Sequence, residues 1–224
     1  IGEVTFDGGS SEFCLAEEAR QKLIDDFGWT ITDGGKALDC VPCPTIQINL
    51  STQQQVDDFA TTYDIANCTF EGGILIEGID IVNLDGLSNL TYIGGFLSIR
   101  NTSLTNIDGL SSLTDVRTAI LIEGNQILTD IDGLSSIISL SNLTISDNEM
   151  LTNVDGLSSI TDIGTISILD NAALTNIEGL TSLTLVASDI VIQNNTSLTN
   201  LDGLSSLTIV SDSFVIKNNA SLGN

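Results

Sequence analysis

A repeat of 23 or 24 residues constrains this chain more than any other feature. The stretch "LTNIDGLSSLT" begins at Leu104. Near-copies follow as "LTDIDGLSSII" from Leu128, "LTNVDGLSSIT" from Leu151, "LTNIEGLTSLT" from Leu174 and "LTNLDGLSSLT" from Leu198. The glycine behind each acid recurs as Gly86, Gly109, Gly133, Gly156, Gly179 and Gly203, at intervals of 23, 24, 23, 23 and 24. So short a period has no room for two helices. Its Leu, Ile, Val, Thr, Ser, Asn and Gly favour strands and tight turns. One such unit cannot bury its apolar side alone, so the stack is the folding unit.

Residues 143–165 show one coil. Leu143 and Ile145 alternate with Thr144 and Ser146, which predicts a first strand. Asn148 is expected to turn the chain. Leu151 and Val154 then point inward on a second short strand, "DGL" turns again, and Leu157, Ile160 and Ile163 line a third side. First strands begin near Ile74, Leu97, Ile120, Leu143, Ile166, Ile190 and Phe214. Coils with three short sides stack about 4.8 Å apart.

Stacking turns each repeated residue into a column. Asp85, Asp108, Asp132, Asp155, Glu178 and Asp202 form one, and Asn83, Asn106, Asp130, Asn153, Asn176 and Asn200 another. The acids are candidate calcium ligands, because hard oxygen donors suit that ion. One acid and one amide per coil is a thin donor set, so no metal is favoured. The preferred reading is turn chemistry, with the acid accepting backbone N–H bonds and capping the turn. Asn125, Asn148, Asn171, Asn195 and Asn219 read as a buried ladder bonding neighbouring backbones. The threonine column of Thr105, Thr129, Thr152, Thr175 and Thr199 lacks the Thr-x-Thr pairs of an ice-binding face and needs no function.

The outward positions of the first strand do not repeat. One column reads Glu77, Arg100, Glu123, Ser146, Leu169, Gln193 and Lys217; its neighbour reads Leu75, Ser98, Leu121, Thr144, Ser167, Val191 and Val215. Structural columns repeat, whereas a binding face is individual. Glu77, Arg100, Leu121, Glu123, Leu169, Gln193 and Lys217 are therefore the candidate binding residues, with Glu77–Arg100–Glu123 expected to form a charge ladder.

Residues 1–43 lie outside the repeat and read as a strand ("EVTFDGG"), a helix ("LAEEARQKLIDDFG", with Gly28 as its C′ residue) and a second short strand ("WTITDGG"). Residues 44–71 read as a strand ("TIQINL") and a cap helix, with Ser51 and Gln54 as capping box and Val56, Phe59 and Ala60 as the apolar face. Such a helix covers the first layer of the stack over 72–224. Cys14, Cys40, Cys43 and Cys68 all precede the repeats. Without histidine they favour two disulfides over zinc. Three pairings are open; Cys14–Cys40 with Cys43–Cys68 is preferred, which points to an oxidising compartment, and four buried thiols are the rival.

The chain carries 30 acids against 6 bases and no histidine, for a net charge of −24. Phosphate backbones and anionic membrane surfaces are excluded as partners. No run of 18 apolar residues is present, so no membrane insertion is expected. Catalysis is not expected either. The repeats offer Arg100, Arg117 and Lys217 as their cations, too few to serve a lyase. An acid-dependent glycan hydrolase is the remaining enzymatic alternative, opposed by columns of identical acids that have no means of separating two pKa values.

The stretches "LTNIDGLSSLTDV", "NLTYIGGFLSIRN" and "CPTIQINLSTQQQVDDF" resemble the receptor L-domain-like, leucine-rich-repeat-like proteins of Bacteroidota surfaces over about residues 44–224. "VTFDGGSSEFC…DDFGWTITDGG" resembles the end of a BspA-like leucine-rich repeat region. The resemblance fits Cys43 and Cys68 to that family's N-terminal cysteine pair. It implies a large modular protein, exported by a type IX system to the outer cell surface, of which this chain would be a part truncated within the repeats. The expected fold is mainly β: a right-handed β-solenoid of 23–24-residue coils with three short sides, an N-terminal helical cap and a small α/β segment before it. The expected function is a non-catalytic adhesion module without cofactor. Its partners would be protein or carbohydrate at the cell surface, other domains of the same polypeptide, or secretion machinery; the alternative is a purely structural spacer.

Overall fold

The repeats close into coils that hydrogen-bond to one another in register. A computed structural model describes residues 5–7, 12–13, 17–33, 35–36, 45–63 and 70–223. Cys14, Cys40, Cys43 and Cys68, with their expected pairing, lie outside the described residues. The elements run β1 (Thr5–Asp7), β2 (Glu12–Phe13), α1 (Glu17–Phe27), β3 (Thr30–Thr32), β4 (Gly35–Lys36), β5 (Ile48–Leu50), α2 (Gln53–Asp57) and α3 (Phe59–Thr62). The repeat region then supplies β6 (Ile74–Glu77), β7 (Tyr92–Ile93), β8 (Leu97–Arg100), β9 (Asp115–Val116), β10 (Ala119–Glu123), β11 (Ser139–Ser146), β12 (Asp162–Leu169), β13 (Leu185–Val186), β14 (Ile190–Gln193), β15 (Ile209–Val210) and β16 (Phe214–Lys217).

The protein is mainly β, and ten of these strands join in one parallel sheet. Identical repeats travel the same way round, so equivalent strands must meet parallel. Registry is unbroken: Ile74 pairs with Leu97, Leu97 with Ile120, Ile120 with Leu143, Leu143 with Ile166, Ile166 with Ile190 and Ile190 with Phe214. Period-two alternation sends one set of aliphatics inward. In the coil from residue 143, Leu143, Ile145, Leu151, Val154, Leu157, Ile160 and Ile163 are all buried. The equivalent rungs of the last coil, Leu201, Leu204, Leu207, Val210, Ile216 and Leu222, are partly buried against the same core.

The second side departs from expectation. Leu151 and Val154 point inward but form no strand. Threonine does the bridging there. The Thr129 amide donates to the Thr105 carbonyl at 2.9 Å and the Thr129 hydroxyl to the same oxygen at 2.9 Å. Thr152, Thr175 and Thr199 repeat the arrangement. The carbonyl's second lone pair thus takes the hydroxyl, so this column is inter-coil bonding. The "DGL" motif is a 3₁₀ turn, as in Asp155–Leu157, and a short strand follows it. That strand runs on into the first strand in β11 and β12.

Asn148 is not the turn residue. Asp147 before it holds φ 56°, and Asn101, Gly124, Asp170, Asn194 and Asn218 hold φ between 51° and 68° at equivalent places. Asn, Asp and Gly are the residues that tolerate this left-handed region, which is why the column contains nothing else. Asn148 lies buried one residue on. Its Nδ2 donates to the Ile122 carbonyl at 2.9 Å, and its Oδ1 accepts from the Asn125 amide at 3.0 Å. Asn125, Asn171 and Asn195 do the same, and Thr102 ends the ladder by donating its hydroxyl to Asn125 Oδ1 at 2.7 Å.

The glycine column has a steric cause. A Cβ on Gly109, Gly133, Gly156, Gly179 or Gly203 would overlap the carbonyl oxygen of Leu84, Ile107, Ile131, Val154 or Ile177 in the preceding coil. For Gly86 the oxygen belongs to Val56 of α2. Gln53 secures α2 there, accepting from the Val82 amide at 2.8 Å. The capping box is shifted by one residue from expectation. Thr52 is the N-cap and accepts from the Gln55 amide, while Gln55 Oε1 accepts from the Ser51 amide at 2.7 Å. Val56 and Phe59 are buried, but Ala60 is exposed, because Asp58 interrupts the helix and re-aims its last turn.

In the N-terminal segment β1 pairs parallel with β3 and β2 with β4. Gly28 closes α1 at φ 64°, its amide donating to Ile24 and that of Trp29 to Leu23. Arg20 Nε donates to Asp33 Oδ2 at 2.8 Å.

Candidate functional site

Parallel registry brings the candidate binding residues onto one sheet face. Glu77, Arg100, Glu123, Ser146, Leu169, Gln193 and Lys217 occupy successive rungs, and Leu121 sits beside them in the adjacent column. Side chains at i and i+2 of a strand share a face, so the two outward columns lie side by side. Leu75, Leu121, Leu169 and Val191 are half-buried there and Val215 is exposed. Ser98 and Ser146 are buried between larger neighbours, so the face is uneven from rung to rung.

The expected three-member charge ladder forms on one side only. Arg100 Nη2 donates to Glu77 Oε2 at 2.9 Å, and Asn101 Nδ2 donates to Glu77 Oε1 at 3.3 Å. Donation from Asn101, then from Arg100, holds the Glu77 carboxyl below the ordinary carboxylate value. Glu123 has no ion pair among the described residues. The reason lies one coil further on. The residue equivalent to Asn101 above Glu123 is Asp147, an acid with no proton to donate when ionised, so nothing there orients Glu123 toward Arg100. The Arg100 Nε is buried without a hydrogen-bond partner among the described residues.

A depression of about 420 Å³ opens at the end of this face, lined by Arg100, Asn101, Glu123, Gly124, Ser146 and Asp147. Glu77, Arg100 and Glu123 were legible in the sequence as non-repeating outward positions. Asn101, Gly124 and Asp147 were missed; the signal for them was the restriction of their column to Asn, Asp and Gly.

The acid column lies elsewhere, on the 3₁₀ turns. Asp85, Asp108, Asp132, Asp155, Glu178 and Asp202 each open one of these turns. Their carboxylates do not cap the turns, contrary to the turn-chemistry reading. The Asn two residues earlier does so: Asn83, Asn106, Asn153, Asn176 and Asn200 accept the acid's own amide through Oδ1 at 3.0–3.1 Å. An amide oxygen two residues back reaches that N–H as an Asx turn, whereas the acid's side chain projects outward. Among the described residues no group of three or more Asp, Glu, Cys or His is placed to hold a metal ion.

One coil breaks this pattern. Asp130 replaces the asparagine, and its Oδ2 accepts from the Thr129 hydroxyl at 3.2 Å instead. Partial burial, then the charges of Asp130, Asp155 and Asp108, push the Asp132 carboxyl above the ordinary carboxylate value. A raised folded pKa favours the protonated form, so this contribution to stability is present at low pH and lost as pH rises through that pKa. Asp130→Asn removes one repelling charge and restores the asparagine that accepts the acid's amide in the other coils. It is expected to raise the melting temperature at pH 7 by about 2 °C. The gain shrinks as pH falls through the raised pKa of Asp132, below which that carboxyl is neutral. Melts at pH 7 and pH 3 that show the same difference would contradict the electrostatic account.

No helix among the described residues is long and apolar enough to cross a membrane. Comparison of the chain with protein-family models, curated proteins and solved structures finds no match.

Proposed function

We propose that this chain is a non-catalytic interaction module that binds protein or glycan through the first-strand face. The carrying observation is a contrast between columns in one register. The glycine, asparagine and threonine columns repeat because each rung bonds or clears the next coil. The outward columns are equally well registered, yet change from Glu to Arg to Ser to Leu to Gln to Lys. Positions released from inter-coil bonding are free to be selected for a partner.

The fold reading within this proposal is a right-handed β-solenoid of the receptor L-domain-like, leucine-rich-repeat-like kind, with α2 and α3 as N-terminal cap. The Val56 carbonyl supports the cap, since it meets Gly86 as the coil carbonyls meet the other glycines. A cell-surface setting is consistent with the net charge of −24 and with the resemblance of the repeats. A spacer is the second reading, favoured by the ladders: continuous hydrogen-bonded columns stiffen a stack along its length.

The test is a double substitution on the face, Arg100→Glu with Leu121→Glu. Binding to isolated surface proteins or glycans of the source cell is expected to be lost while the circular dichroism spectrum stays unchanged. Saturable binding that survives the double substitution would remove the face assignment; no saturable ligand for the parent protein would favour the spacer.

A further inference from the structure

Two columns shorten on adjacent rungs, at Gly124 in one coil and at Ser146 in the next, which no regular coil requires. In the left-handed turn column, Asn218 Nδ2 donates to Asn194 Oδ1 at 3.0 Å and Asn194 Nδ2 to Asp170 Oδ1 at 2.7 Å. Gly124 is a missing rung in that column, between Asn101 and Asp147. Beside it, the first-strand column falls from Glu123 to the short, buried Ser146 before rising to Leu169. The depression of about 420 Å³ is where the two gaps meet. That volume falls in the range of small-ligand sites, roughly 300–1,000 Å³.

Its lining alternates in hydrogen-bonding sense. Arg100 is a fixed donor, held by Glu77. Glu123 and Asp147 are acceptors when ionised, and the Ser146 hydroxyl is both. A phosphate or sulfate would face two carboxylates within a chain of charge −24. A bare ammonium would face the Arg100 guanidinium. A hydroxyl donates to a carboxylate and accepts from a guanidinium at once, so adjacent hydroxyls on one sugar ring satisfy both walls. We infer that the Gly124 depression binds the vicinal hydroxyls of a neutral glycan. This rests on the interaction-module reading and gives it a ligand class.

Gly124→Asn tests the inference. Asparagine already holds the same backbone conformation at 101, 194 and 218, so the substitution restores a rung without breaking the turn. The Cβ it adds meets only the end of the Asn101 side chain, 2.8 Å from Oδ1. The whole chain is screened against an array of neutral oligosaccharides of glucose, galactose, mannose and fucose, and the best binder is titrated calorimetrically. Gly124→Asn is expected to weaken that binding by about tenfold or more at an unchanged melting temperature. Ile138→Glu, at an exposed position that belongs neither to the depression nor to the first-strand columns, should leave it intact. Glycan binding that is indifferent to Gly124→Asn, or displacement of the glycan by oligolysine, would overturn the inference. If no neutral glycan binds while a protein ligand still depends on Arg100 and Leu121, the glycan class falls and the module reading stands. If neither binds, both fall.

Discussion

Gly156→Ala is expected to lower the melting temperature by about 10 °C. The added Cβ overlaps the Ile131 carbonyl oxygen of the preceding coil. That oxygen also accepts from the Leu134 amide at 3.1 Å, so it cannot retreat without breaking its own 3₁₀ turn. Overpacking against backbone costs about 3 kcal/mol, and in a domain of this size each kcal/mol moves the melting temperature by about 2–4 °C. Gly223→Ala is the control. Its Cβ approaches nothing closer than the Thr199 oxygen at 3.9 Å, and no change is expected. Equal melting temperatures for the two variants would mean that the coils slide apart freely and that the column has another origin.

Asn148→Ala ranks with it. The substitution leaves the buried Asn125 amide without its acceptor and takes the Nδ2 donor away from the Ile122 carbonyl and from Asn171 Oδ1. A buried polar group left unsatisfied costs about 1–3 kcal/mol, and with the two weakened acceptors the loss is about 3 kcal/mol in total. Asn219→Ala removes comparable bonds, to the Ile192 carbonyl at 2.9 Å and from the Asn195 amide at 2.9 Å, at a partly buried site. Water can replace those partners, and a cost of about 1 kcal/mol is expected. Urea midpoints for the two variants measure the difference. Matching midpoints would show that burial does not set the value of this ladder.

The glycine and asparagine ladders carry different parts of the same problem. A one-residue slip would already turn the inward aliphatics outward, but a stack of apolar coils tolerates sliding by two residues unless something penalises it. Glycine penalises it sterically, because only one residue per coil clears the neighbouring carbonyl. Asparagine penalises it electrostatically, because a slipped rung would bury unpaired amides. With registry held from inside the coil, the outer face is relieved of that duty and can carry Glu77, Arg100, Leu121, Glu123, Leu169, Gln193 and Lys217 as a heterogeneous surface.

Periodicity alone determined much of this molecule. A 23–24-residue interval with alternating aliphatics determined the coils, their strand starts, the inward set such as Leu143, Ile145 and Leu157, and the burial of Asn125, Asn148, Asn171 and Asn195. One residue type recurring at one height can only mean one environment repeated. Which bond each column makes was decided by the tertiary structure. The acid before glycine looked like the turn cap, but the asparagine two residues earlier reaches the amide. The threonines looked exposed and idle, but their hydroxyls share the carbonyl of the coil below. Asn148 looked like the turn, but the left-handed residue is Asp147. The threonine bond spans neighbouring coils at about 3 Å, whereas the asparagine bond and the left-handed residue are set by the backbone path within one coil; repeat spacing contains neither. The depression at Gly124 belongs to the same class: it exists because two unrelated columns shorten on adjacent rungs, at Gly124 and at Ser146, and only the stacked coils bring those rungs together.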